Sequence, residues 1–73
     1  MADRFLDFSG LRCPLPILKL SSLYAQLKQG EVIDIVSDCP TFEKDIKAWC
    51  LKLGKTILNI ERFGNKIKVT IRI

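Results

Sequence analysis

One stretch decides how this chain is organised: Gly10-Leu11-Arg12-Cys13-Pro14-Leu15-Pro16. Glycine marks a turn, and prolines fit the first turn of a helix, where backbone N–H groups have no intrahelical partner. A residue before proline is pushed toward the β region, which is also the backbone conformation of an N-cap. We therefore predict that a loop ends at Cys13 as the N-cap, with Pro14 as the first helical residue and Pro16 as the third.

A cysteine at the start of a helix is a candidate nucleophile. A helix N-terminus favours negative charge and lowers the pKa of a thiol, whose thiolate is the reactive form. Arg12 can support the anion, and the chain contains no histidine to act as a base. This favours sulfur exchange over hydrolysis. The same residues equally fit an alternative in which Cys13 is a small apolar filler and the prolines only start a helix.

The periodicity of apolar residues on both sides of this stretch predicts six elements. They are strand 4–8, helix 14–29, strand 31–37, helix 41–53, and strands 55–63 and 66–73, joined by a hairpin turn at Gly64-Asn65. The first two strands form a βαβ unit and are therefore parallel. The prediction is a single domain, residues 1–73, of the α/β (α+β) class: a two-layer βαβαββ sandwich with two helices packed on one face of a four-stranded mixed sheet.

The sequence also predicts where the two helices end and which residues of the second helix face the core. Gly30 and Gly54 are predicted left-handed stops, and either Asp38 or Thr41 can cap the second helix. Glu43 and Lys47 are predicted to pair on its outer face. Its inner stripe is predicted to comprise Phe42, Ile46, Trp49, Cys50 and Leu53.

Composition excludes several classes of function. The net charge of +4 is scattered without a basic run, which indicates a solvated surface rather than nucleic-acid binding beyond a weak contact with tRNA. Three cysteines without paired C-x-x-C spacing predict no metal site and no complete disulfide framework. We expect no signal peptide and no membrane insertion, hence a cytoplasmic location with reduced thiols.

The chain resembles the TusA/SirA/YedF family of small sulfur-carrier proteins. The resemblance rests on Leu6-Asp7-x-x-Gly10-Leu11-Arg12-Cys13-Pro14-x-Pro16, which contains the family's CPxP motif. It continues through Gly30-Glu31, Asp38-x-Pro40, Asp45-Ile46 and Trp49-Cys50. It implies a fold similar to the C-terminal domain of translation initiation factor three.

The resemblance also implies a function. Cys13 carries a persulfide received from a cysteine desulfurase or a rhodanese, and an acceptor sulfur-relay protein takes it toward tRNA thiolation, sulfur oxidation, molybdenum-cofactor assembly or selenium metabolism. The implied activity is that of a sulfurtransferase of the carrier type, a monomer without cofactor or metal. Arg12, Pro14 and Pro16 support the site. The alternatives are a non-catalytic regulatory or interaction module, and a thiol–disulfide redox protein using Cys13 and Cys39.

Cys39 departs from the family pattern, which often has a small polar residue there. Parallel strands end at the same edge of a sheet, so the loops that bear Cys13 and Cys39 are expected to be neighbours. Cys39 is thus either a possible second thiol or a small residue tolerated at a helix start, the simpler and favoured interpretation. Cys50 is predicted to lie in the core, and Trp49 to be a packing aromatic.

Overall fold

The computed structural model describes residues 3–12 and 14–73, and the predicted βαβαββ order is confirmed. The strands and helices are β1 Arg4–Asp7, α1 Leu15–Leu23, β2 Val32–Ser37, α2 Phe42–Leu53, β3 Thr56–Phe63 and β4 Lys66–Arg72, with a 3-10 turn at Tyr24–Gln26 after α1. Within the described ranges, no helix has the length and apolar character needed to cross a membrane.

The sheet has the order β1-β2-β4-β3, which the sequence had left open. Strand β2 lies in the interior and pairs in parallel with β1, as predicted, and antiparallel with β4. Strand β4 is also interior, because β3 pairs with its other side. The two parallel strands end at one edge of the sheet, and the chain passes from each of them into a helix at that edge.

The core lies between one face of the sheet and the two helices. Apolar residues alternate with polar ones along 66–73, which predicts a half-buried last strand, and in β4 Ile67, Val69 and Ile71 are indeed buried while the residues between them stay partly accessible. Further buried apolar side chains from β2, α1 and α2 include Ile33, Ile35, Leu20, Phe42, Ile46 and Cys50, and Phe8, Cys39 and Ile73 add to them from the segments between and after these elements. Burying one large apolar side chain stabilises the fold by about 1.5–3 kcal/mol, so this layer holds both helices on the sheet.

Helix α1 ends six residues earlier than predicted, at Leu23 rather than residue 29. Leu27 is already extended (φ −86°, ψ 143°), and Gly30 has the expected positive φ of 87° but lies in a turn outside the helix. The Gly30 N–H donates to the Ile73 carbonyl at 2.9 Å, and the Ile73 N–H donates to the Glu31 carbonyl at 2.8 Å. These two hydrogen bonds hold the turn at Gly30 and Glu31 against Ile73. A helix that continued to residue 29 would not bring the chain to this position.

The start of α1 is shifted by one residue from the prediction. Pro14 occupies the N-cap position, Leu15 is the first helical residue and Pro16 the second. The Leu15 N–H donates to the Arg12 carbonyl at 2.7 Å in a tight turn, and the first helical bond runs from the Leu18 N–H to Pro14 at 3.2 Å. The prediction of Pro14 inside the helix was therefore wrong, and the predicted N-cap, Cys13, lies outside the described residues.

Helix α2 follows its predicted limits closely. Gly54 ends the helix in the left-handed conformation (φ 72°), as predicted. Thr41 takes the N-cap position, but its side chain makes no capping hydrogen bond and donates to Asp45 instead. The Glu43–Lys47 pair is confirmed, with 2.9 Å between Lys47 Nζ and Glu43 Oε2. Only the last residue of the inner stripe was wrong: Leu53 is 38% exposed, because it lies at the end of the helix beyond the sheet-facing turns.

Candidate thiol site

Two loops meet where β1 and β2 end. The Phe8 N–H donates to the Val36 carbonyl at 2.7 Å, which extends the parallel pairing by one residue beyond β1. The Gly10 N–H then reaches both carboxylate oxygens of Asp38, each at 3.1 Å. The loop of residues 8–12 and the loop of residues 38–41 are therefore neighbours, as the topology predicted.

A cavity of about 390 Å³ lies between these loops. Among the described residues, those that line it are Gly10, Leu11, Arg12, Asp38, Cys39 and Pro40. A second cavity of about 180 Å³ shares Cys39 and Pro40 with the first and continues toward Arg62 and Lys66. Two of the predicted site residues, Arg12 and Cys39, thus line the first cavity, and Cys39 lines both cavities.

Cys39 is held in place by its own backbone and by its neighbours. Its N–H donates to the Ser37 hydroxyl at 3.0 Å, and its carbonyl accepts the Phe42 N–H at 3.1 Å. Its sulfur lies 3.5 Å from the Thr41 hydroxyl, which donates to Asp45 at 3.1 Å. Because only 5% of Cys39 is exposed, its sulfur is almost closed to large molecules in solution.

The other predicted site residues differ in their exposure to solvent. Arg12 and Pro14 are exposed, whereas Pro16 is fully buried and anchors the start of α1 in the protein interior. Prolines carry no N–H, so Pro14 and Pro16 remove two donors from the beginning of the helix. A third donor, the Leu15 N–H, is used by the Arg12 carbonyl. Hydrogen bonds from the first turn are therefore scarce, and stabilisation of an anion there rests mainly on the helix dipole and Arg12.

Asp38 has a role that sequence reasoning missed. We predicted it as a possible helix cap, but its carboxylate instead bonds Gly10 across the two loops. A carboxylate that accepts a backbone N–H makes a charge-assisted hydrogen bond. The only signal in the sequence was the position of Asp38 at the end of a strand parallel to the one before Gly10.

The other cysteine and the aromatic residue beside it are structural, as predicted. Cys50 is 2% exposed, and burial raises its pKa to about 11. The Trp49 ring packs edge-on against Tyr24 with 5.5 Å between ring centroids, and its indole N–H donates to Ser21 at 3.1 Å. In the part of the chain that the structure describes, no three potential ligand side chains cluster to hold a metal ion.

Known proteins resemble this chain along nearly its whole length. The family model described as sulfurtransferase TusA matches residues 4–73. YedF of Escherichia coli K12, named as a candidate sulfur carrier, is 36% identical over 70 residues, which are 96% of this chain and 91% of that protein. A candidate sulfur carrier of Aquifex aeolicus is 39% identical over 64 residues; the match covers 88% of this chain but 32% of the longer Aquifex protein.

A solved structure has the same architecture. The SirA-like protein from Desulfitobacterium hafniense superimposes with a TM-score of 0.79 at 23% identity, and the match covers 94% of this chain and 95% of that one. At this level of identity the likeness establishes the fold, a four-stranded mixed sheet with two helices.

Proposed function

Because the chain belongs to the TusA family of sulfur carriers, we propose that it accepts sulfane sulfur as a persulfide on Cys13 and relays it to an acceptor protein. The donor is a cysteine desulfurase or a rhodanese, and the chain acts as a sulfurtransferase of the carrier type. The observation that carries this proposal is the cavity between the two loops, because Arg12, the residue before Cys13, lines it from an exposed position.

The proposed transfer needs little from the protein beyond a thiolate. The Cys13 thiolate attacks the outer sulfur of a persulfide on the donor, a bond forms between the two sulfurs, and the sulfur–sulfur bond in the donor breaks. The donor cysteine leaves as a thiolate, and Cys13 keeps the outer sulfur. The step involves no net oxidation and no obligatory proton transfer to a base, which suits a chain without histidine.

The surroundings support an anion at this place. Arg12 brings a permanent positive charge to the cavity, where the one carboxylate among the described lining residues, Asp38, is engaged by the Gly10 N–H. The N-terminus of α1, which follows Cys13 in the chain, contributes a partial positive charge. Burial of Pro16 fixes the helix start on which this field depends. Arg62 and Lys66 also line the adjoining cavity, where Arg62 is ion-paired with Glu43, so Lys66 is the cation there that adds to the attraction for an acidic partner.

Mass spectrometry of the intact protein tests the assignment. We expect the wild-type protein to gain about 32 Da, the mass of one sulfur atom, after brief incubation with a cysteine desulfurase and cysteine. The Cys13→Ser protein should gain nothing, and the Cys50→Ala protein, which lacks only the core thiol, should load normally. Full loading of the Cys13→Ser protein would contradict the proposal.

The destination of the sulfur is a separate part of the proposal. We place the protein in the cytoplasm as a monomer that passes its sulfur to a protein thiol, for tRNA thiolation or other sulfur metabolism. Mixing the loaded carrier with purified acceptor candidates identifies the recipient, since about 32 Da must leave the carrier and appear on the acceptor. A candidate that gains no mass while the carrier stays loaded is excluded.

A further inference from the structure

We propose that Cys39 resolves the persulfide on Cys13 by forming an internal disulfide and releasing hydrosulfide. This inference rests on the proposed function, because it needs sulfur carried on Cys13. It assigns Cys39 a chemical role: the loaded carrier can release its sulfur within the same chain when no acceptor takes it.

Proximity is the first argument. Cys39 lines the same cavity as Arg12, and the bond from Gly10 to Asp38 holds the two loops together. Cys13 directly follows Arg12 in the sequence. The proposed reaction therefore joins two cysteines of one chain and is intramolecular.

The burial of Cys39 is the second argument. With 5% exposure, its sulfur is poorly placed to meet a cysteine of another protein, whereas Arg12 and Pro14 on either side of Cys13 are exposed. Its bonds to Ser37 and Thr41 fix its orientation at the cavity wall. A fixed, inward-lying sulfur favours attack on a neighbour within the same chain, where the effective concentration is high.

The chemistry balances without an outside oxidant. The Cys39 sulfur attacks the inner sulfur of the persulfide, which is the Cys13 Sγ, and the bond between the two persulfide sulfurs breaks. The outer sulfur leaves as hydrosulfide and takes up the proton that Cys39 gives up. One persulfide and one thiol thus become one disulfide and one hydrogen sulfide, and the oxidising equivalent of the sulfane sulfur ends in the disulfide.

Cys50 provides the matched comparison. Both cysteines belong to the buried core cluster, but Cys50 lies within α2, and its pKa of about 11 keeps it a neutral thiol near neutral pH. It lines neither cavity next to the loops. Removing Cys50 should therefore leave the resolution unchanged.

The test follows the loaded protein over time. The reduced wild-type, Cys39→Ser and Cys50→Ala proteins are treated with inorganic polysulfide, desalted and kept under a nitrogen stream that carries sulfide to a trap. We expect the wild-type and Cys50→Ala proteins to lose the added 32 Da and to settle about 2 Da below the reduced mass, as one equivalent of sulfide is trapped. The Cys39→Ser protein should keep its sulfur at least about tenfold longer. The wild-type rate should not depend on protein concentration, because the reaction is intramolecular.

Other outcomes would contradict either the resolving role of Cys39 or the carrier function, and the experiment distinguishes the two. If wild-type and Cys39→Ser proteins hold their sulfur equally long and no species about 2 Da lighter appears, the resolving role is wrong and the carrier function stands. The role is also wrong if peptide mapping finds the added sulfur on Cys39, or pairs Cys39 with any residue but Cys13. If the Cys39→Ser protein never gains sulfur on Cys13, although circular dichroism shows it folded, the carrier function itself fails. A Cys39→Ala protein repeats the comparison should the serine variant not fold.

Discussion

Replacing Asp38 by alanine should loosen the two loops from each other and destabilise the whole domain by about 1 kcal/mol. Both Asp38 oxygens lie 3.1 Å from the Gly10 nitrogen, so the substitution removes the acceptor of that N–H. Hydrogen bonds to charged groups are typically worth about 1.5–3 kcal/mol. Because Gly10 is exposed and Asp38 only half-buried, water replaces part of this contribution, which leaves about 1 kcal/mol.

Thermal unfolding and amide exchange measure the effect separately. For a domain of this size, about 1 kcal/mol corresponds to a fall in Tm of roughly 4–8 °C. Exchange of the Gly10 amide proton, followed by NMR, should accelerate more than that of the core amides. An Asp38→Asn protein keeps one acceptor oxygen without the charge and should lose less than half as much stability.

A second carboxylate serves as the control. Asp34 accepts a hydrogen bond from Thr70 on β4, on the sheet face away from the helices, so Asp34→Ala removes a comparable bond far from the loops. We expect it to lower Tm without a selective change at Gly10. If Asp38→Ala leaves both Tm and Gly10 exchange as in the wild type, the bond does not tie the loops and the reasoning is refuted.

Three further predictions concern the frame around the site. Burial raises the pKa of Cys50 from 9.0 to about 11. The fold therefore favours the neutral thiol, a contribution to stability that is fully present below about pH 9 and is lost as pH rises through about 11. Unfolding measured against pH should show this loss in the wild type and not in Cys50→Ala. Pro16→Ala should cost about 1–2 kcal/mol in denaturant unfolding, since the ring is fully buried; the exposed Pro14→Ala should cost clearly less, and equal losses would contradict this. Gly54→Ala should cost about 1–2 kcal/mol by the same measurement, because φ is 72° there although the space around it is open; an unchanged midpoint would show that the strain is relieved.

The parts of the fold that follow from local pattern could be predicted from the sequence. The alternation of β4 and the glycine at the end of α2 each encode their structure within a few residues. The end of α1 does not, because it depends on hydrogen bonds between Gly30 or Glu31 and the chain end at Ile73. No helical periodicity within α1 carries that information.

The packing of strand β3 also depends on distant residues and could not be predicted from its own sequence. A register shift between Ile57 and Asn59 interrupts its simple alternation, so Ile57 and Ile60 both pack against the core and Leu58 is 46% exposed. Sequence pattern alone gives no sign of this shift, since a bulge of this kind is set by the pairing partner. The strand order was equally invisible, because a hairpin fixes only which two strands are adjacent.

At the site, the predicted strand topology was a better guide to which residues meet than local sequence patterns were. The meeting of the loops that contain Arg12 and Cys39 follows from two parallel strands ending at one edge, and the structure confirms it. The bond between Asp38 and Gly10 joins residues 28 positions apart, which local rules for helix caps could not anticipate. The prolines predicted a helix start correctly but placed it one residue early, because the turn between Arg12 and Leu15 precedes the first helical bond.

The two proposed reactions of the loaded carrier compete, and their kinetics decide which one matters. Relay is bimolecular, because the acceptor must reach the site at the sheet edge, whereas closure onto Cys39 is unimolecular. An acceptor at about 1 µM with a typical association rate constant of 10⁵–10⁷ M⁻¹ s⁻¹ arrives about 0.1–10 times per second. Relay therefore dominates only if closure is slower than this, and dilution of the acceptor should shift the products from transferred sulfur to free sulfide in the wild type. In the Cys39→Ser protein the same dilution should only slow the transfer, and sulfide released in proportion to dilution from that variant would refute the competition.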